Sequence, residues 1–213
     1  SPIINKVAVV LEHEKNAVVV KHAIEVVEQL SKGLRKDFSY ASLLVPFLLL
    51  RLKDKKTTDI VLKSLDTIDK YSQSFEEFLE QIAASLDSKT PAVRDGMLKW
   101  IEMCLSRKKS GLNANTIKLL GNKAIELSDD ANSGIRDAAF QVIARMLWLC
   151  GARQMQQFMS KLDKIKTEKV TQFETSYGPG PTLKQSSEPV KPQTKPQIQT
   201  TTAPPPKKAP SKP

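Results

Sequence analysis

Two stretches decide the fold: LDSKTPAVRDGMLKWIEMCL, from Leu86 to Leu105, and LSDDANSGIRDAAFQVIARML, from Leu127 to Leu147. Each passes from an acidic turn through a β-branched residue into Arg-Asp and then an apolar helix. Val93-Arg94-Asp95 thus matches Ile135-Arg136-Asp137 at a spacing of 42.

A step of about 40 to 47 residues carrying two helices is the pattern of HEAT repeats, where no hairpin buries its apolar face alone and stacking supplies the core. The expected fold is all-α, a HEAT-repeat α-solenoid of about four to five helical hairpins. Working outward, one unit spans about Gln73 to Leu105, with an internal loop at Asp87–Thr90 and Pro91 opening its second helix, where the missing N–H has no helical partner to lose. Its buried stripe is Val93, Met97, Trp100, Ile101, Cys104 and Leu105. The next unit runs from about Asn113 to Cys150, with a loop at Asp129–Ser133 and a stripe of Ile135, Ala138, Ala139, Val142, Ile143, Met146 and Leu147. A helix over about Ala152 to Ile165 and a shorter one to Phe173 cap the array.

Upstream, a hairpin runs from about Phe38 to Lys70, turns at Lys53–Lys56 and returns on Val61, Leu65 and Ile68; Pro46 lies inside its first helix. Before it, Ile3 to His13 and a helix with the stripe Val19, Ala23, Val26, Val27, Leu30 and Leu34 form a first unit. Ile3 to Val10 is almost wholly apolar, whereas a terminal repeat needs a polar outer face. Residues 1–175 are therefore expected to form an N-terminally incomplete repeat domain. Internal loops fall near positions 15, 55, 89 and 131.

The chain has 213 residues with 33 basic and 23 acidic side chains, net +10. Such a balance favours an acidic partner. Ten of the 13 prolines follow Tyr177, in a stretch of Pro, Lys, Thr, Gln and Ser too poor in apolar residues to offset the entropy of ordering. Residues 176–213 are read as a disordered Lys/Pro-rich linker or tail. Cys104 and Cys150 fall on apolar stripes rather than in a CxxC pair, which suits buried, reduced thiols. The apolar run Leu43–Leu50 is far shorter than the roughly 20 residues that span a bilayer, so no membrane partner is expected.

Two histidines, His13 and His22, have no Ser or Cys partner at an interpretable spacing, and no Gly-rich phosphate loop opens a helix. No catalytic constellation, cofactor or metal site is read from the chain. The internal loops do carry a pattern, because in a two-helix solenoid they line one narrow edge. Lys15, Lys53, Lys55, Lys56, Lys89, Arg94 and Arg136 sit at or beside starts of second helices, where the dipole disfavours cations by about 0.3–1 kcal/mol each. Solvated surface charge balanced by Asp87, Asp95, Asp129, Asp130 and Asp137 accounts for part of this. The opposite edge is also basic, at Lys32, Arg35, Lys36 and Arg107–Lys109.

GLRKDF at Gly33, the Pro46 helix leading into LRLKDKK, SKTPAVRD, and GIRDAAFQVIARML followed by MSKLDKIKTEKV resemble consecutive repeats of a TOG domain, as found in the microtubule polymerase array family. The resemblance covers about Ile3 to Val170. It implies a domain that recruits αβ-tubulin through the internal-loop edge and promotes microtubule polymerisation and spindle organisation. It further implies a place in the cytoplasm, on microtubules, spindle, centrosome or spindle pole. By position, the tubulin-binding residues are Asn16, Ala17, Lys55, Lys56, Lys89, Arg94 and Arg136, and the Lys/Pro tail would contact the acidic lattice. TOG domains generally begin with a further repeat whose loop carries an aromatic anchor, usually Trp. That repeat is not found in this chain, and Trp100 and Trp148 are assigned to core packing instead. Two rivals stand beside this reading: a generic HEAT-repeat adaptor for another acidic protein, and a basic nucleic-acid-binding module. The second is disfavoured because the loop cations alternate with Asp and the tail lacks interleaved aromatics.

Overall fold

A computed structural model describes residues 1–179. Among them ten α-helices pair into five hairpins: α1 (Pro2–His13) with α2 (Ala17–Leu34), α3 (Ala41–Leu50) with α4 (Thr58–Tyr71), α5 (Leu79–Leu86) with α6 (Pro91–Arg107), α7 (Ala114–Leu127) with α8 (Ser133–Cys150), and α9 (Ala152–Met159) with α10 (Lys164–Ser176). The second helices form one layer, each packed on the next from α2 through α10, and the first helices form the other. That is the expected solenoid. In the first-helix layer α1 packs on α3, α5 on α7 and α7 on α9, whereas α3 and α5 barely touch. The tail assignment lies outside the described residues, apart from its first few positions.

Local sequence explains the helix starts. Asn16, Asn113, Asn132 and Asp163 each cap a helix through a side-chain oxygen that accepts a backbone N–H at 2.8–2.9 Å. Pro91 opens α6 as expected, and Gly151 joins α8 to α9 at φ 80, a conformation glycine adopts without strain. The stripes predicted for α4 and α6 are buried throughout.

Three expectations need correction. In α2 the buried stripe is Val20, Ala23, Ile24, Val27 and Ser31, while Val19, Val26 and Leu34 are exposed. The helix is apolar on more than one side, so periodicity alone could not choose its register. The expected long last helix breaks at Ser160–Asp163, where Asp163 caps α10, giving a fifth full hairpin. Leu147 and Trp148 are only partly buried, packed against the core rather than enclosed in it. The indole Nε1 of Trp148 donates to the Gly178 carbonyl at 2.8 Å, and Arg145 lies 5.5 Å from the centre of its ring and 3.4 Å from that of Tyr177. Trp148 thus pins the end of the solenoid onto α8, and burial there pushes the Tyr177 phenol up.

Both cysteines are buried and free. Burial pushes the Cys104 thiol well above its ordinary value, with the Asp69 carboxylate adding to the effect, and burial raises Cys150 likewise.

One glycine marks a close approach. A Cβ on Gly121 of α7 would stand 2.6 Å from the buried Phe158 ring of α9. Overpacking of this kind costs about 1–3 kcal/mol, against a gain of up to about 1 kcal/mol in helix propensity. Gly121→Ala is expected to lose about 1–2 kcal/mol in urea unfolding; a gain in stability would show that α7 and α9 have room to spare.

Candidate functional site

Side chains reaching between repeats tie the first internal loop to the second hairpin, and the third loop to the fourth and the fourth to the fifth hairpin. Glu14 starts the first loop: its Oε1 accepts the N–H groups of Asn16 and Lys15 at 2.7 and 2.8 Å, and these bonds hold its carboxyl below the usual range. Arg51, at the end of α3, reaches back to the first loop. Its Nε donates to Leu11 O at 2.6 Å and its Nη2 to Val10 O and Glu14 O at 3.2 and 2.9 Å, so that one guanidinium gathers carbonyls at and just past the end of α1, Val10 O already taking the Glu14 N–H.

The second loop is tightened by Asp54, whose Oδ1 accepts Lys56 N–H at 2.9 Å, and by Thr57, whose hydroxyl donates to Arg51 O at 2.9 Å. In the third loop Arg94 Nη1 donates to Ser88 O at 2.6 Å; its Nε and Nη2 meet Asp130 Oδ2 of the fourth loop at 2.9 and 2.8 Å. Arg136, 42 positions on, repeats the first of these bonds: its Nη1 donates to Asp130 O at 2.8 Å and Ala131 O at 3.0 Å. The Arg of each matching motif therefore closes its own loop six residues back. Lys166 then joins Asp129 at 2.5 Å, linking the fourth loop to the fifth hairpin.

These bonds sort the predicted residues. Asn16 is exposed, but its side-chain oxygen is engaged as a helix cap, and Ala17 is the half-buried first residue of α2. Lys55, Lys56 and Lys89 are exposed, and among the described residues none of their ammonium groups forms an ion pair; the same holds for Lys15 and Lys53. Arg136 is half-buried and meets carbonyls, not a carboxylate. Arg94 departs from the expected contact role, because its side chain is only 16% exposed and its guanidinium is consumed by Asp130 and Ser88.

The acids expected to balance the edge are largely used elsewhere. Asp87 pairs with Lys123 of the following repeat, Asp95 with Lys99 at 2.7 Å and Asp137 with Lys169 at 3.5 Å. On the opposite edge, Arg107 pairs with Asp66 and Asp69, and Lys108 with Glu76, which balances two of its cations with carboxylates. Sequence reading missed Arg51 and Asp130, whose partners lie about 36–41 positions away and leave no local signal. It also missed the fifth loop.

Among the described residues no group of His, Cys, Asp and Glu could hold a metal ion, and no helix is long and apolar enough to cross a membrane.

No family model matches the chain. It is 30% identical over 169 residues to Protein MOR1 of Arabidopsis thaliana, covering 78% of this chain and 8% of that protein. The chain thus spans less than a tenth of this relative. A chain from the structural study of microtubule plus-end tracking by XMAP215, CLIP-170 and EB1 superposes with a TM-score of 0.76 at 26% identity, over 83% of this chain and 75% of that one. Another, from work on tubulin recruitment and assembly by microtubule polymerases with TOG domain arrays, gives 0.75 at 26% identity, over 82% of this chain and 37% of that one. The order of loop motifs, the stacked hairpins and these likenesses agree: the solenoid is a TOG domain of the microtubule polymerase family.

Proposed function

We propose that this domain binds αβ-tubulin through its internal-loop edge, as one module of a longer, non-enzymatic microtubule-associated protein that recruits tubulin and promotes polymerisation. Its place of work is then the cytoskeleton: microtubules, spindle, and centrosome or spindle pole. The observation that carries this reading is the row of exposed cations, Lys55, Lys56 and Lys89, left without an ion pair among the described residues while neighbouring acids are engaged. These lysines stand beside the starts of α4 and α6, where the dipole opposes them. An acidic protein surface offsets that local cost. Arg136 supplies a half-satisfied guanidinium to the same row, Asn16 and Ala17 its far end, and Arg94 the brace between its third and fourth loops.

The test is a titration of the full chain with fluorescent tubulin dimers at several salt concentrations. The triple variant Lys55→Glu, Lys56→Glu, Lys89→Glu is expected to lose at least tenfold in affinity with its melting temperature nearly unchanged, since acidic residues suit helix starts. Wild-type affinity should fall as salt rises, because exposed charges are screened. Equal binding by the variant would remove the edge from the reading.

A further inference from the structure

Helix α3, sequence ASLLVPFLLL, is apolar on all sides, and such a helix is ordinarily enclosed. Here one side faces solvent: Leu43 and Leu50, a helical repeat apart and on either side of Pro46, are 45% and 49% exposed. The cause lies in the layering, because α5, the neighbour that should cover this side, barely touches α3. A groove of about 310 Å³ opens between them, with Pro46, Leu49 and Leu50 on one wall and Ala84 and Val93 on the other.

The mouth of the groove lies on the internal-loop edge. Lys53 lines it, and Ser88 and Thr90 bring it to either side of Lys89, with Lys55 and Lys56 two and three residues beyond Lys53. Three nearby carboxylates are held by other partners, Asp54 by its own turn, Asp87 by Lys123 and Asp130 by Arg94, which leaves exposed Asp59 in the first turn of α4 against four lysines, Lys53, Lys55, Lys56 and Lys89, that form no ion pair among the described residues. An apolar slot with Lys53 in its lining and this excess of cations beside its mouth is complementary to one kind of surface, an apolar side chain flanked by Asp or Glu.

We infer that the α3/α5 groove is an anchor pocket that receives a bulky apolar side chain from an acidic segment of tubulin. This rests on the tubulin reading above and deepens it. No loop of the described edge offers an aromatic anchor of its own, and tight interfaces concentrate their energy in a few desolvated anchors. In this domain the knob then comes from the partner and the hole from the solenoid. The lysines supply attraction and orientation at the rim, and the groove supplies burial at the centre.

Salt dependence separates the two contributions. Ala84→Phe fills the groove from an exposed lining position, and Leu50→Gln removes one apolar wall at a half-exposed one. Each is expected to weaken tubulin binding about five- to tenfold, with the slope of log affinity against log salt and the melting temperature both as in wild type. The triple lysine variant should lower affinity and flatten that slope. Unchanged affinity in Ala84→Phe and Leu50→Gln, alongside loss in the lysine variant, would overturn the pocket while leaving the edge intact. Absence of tubulin binding by the unaltered full chain would overturn both.

Discussion

Asp130→Ala should lower the stability of the domain by about 3 kcal/mol, a larger effect than that of any single lysine on the edge. Asp130 is 7% exposed and is the hub of two loops. Its Oδ2 takes two bonds from Arg94, its Oδ1 takes Asn132 N–H at 2.8 Å, and its carbonyl takes Arg136. Removing the carboxylate leaves the Arg94 guanidinium, 16% exposed, with Ser88 O as its remaining acceptor. Breaking such a pair from one side costs about 3–5 kcal/mol, because the surviving charge stays poorly solvated, a penalty that removing both partners does not carry. Arg94→Ala combined with Asp130→Ala is therefore expected to be more stable than Asp130→Ala alone. Urea unfolding of the two single variants and the double variant measures the coupling between them. Simple addition of the single effects would show that the pair is not a brace. Tubulin affinity should fall in the double variant too, since Lys89 and Arg136 then sit on loops no longer tied together.

Trp100→Ala is expected to cost about 3–5 kcal/mol, in the range for aromatic truncation in a core. Trp100 is fully buried on α6, which packs between α4 and α8. Among the described residues its indole Nε1 has no hydrogen-bond partner, and an unmatched buried polar group costs about 1–3 kcal/mol. Trp100→Phe removes that penalty along with some volume and should cost less than half as much as Trp100→Ala. Chemical denaturation of both variants checks the ordering. Folded Trp100→Phe should bind tubulin as wild type does; reduced binding at full folding would move Trp100 from the core to the interface.

How much of this was legible beforehand depended on whether the partners were near in sequence. Pro91 and the stripes of α4 and α6 could be read locally, because a helix start and a single apolar face are set within a few residues. The break before α10 was also local, but Asp163 lies in a polar stretch with little apolar rhythm to interrupt. The register of α2 was not legible, since apolar residues on two sides leave periodicity without a preference. Packing against α1 and α4 selected Val20 and Ile24 over Val19 and Val26.

The site divides in the same way. Lys55, Lys56 and Lys89 could be placed on the loop edge from the sequence because loop position and charge both repeat with the hairpin; their contact with tubulin is the proposal above. Arg94 could not be told apart from Arg136: both occupy the second position of one motif, yet Arg94 meets a carboxylate from the next loop and Arg136 meets carbonyls of its own. A two-helix repeat, the loops that share an edge and the cations on it follow from periodicity and loop position, which are short-range properties. Stacking sorts those cations into braces and, among the described residues, unpaired ones, and it opens the first-helix layer into a groove. Those outcomes arise between residues one whole repeat apart, where the stacking of one hairpin on the next sets the distance.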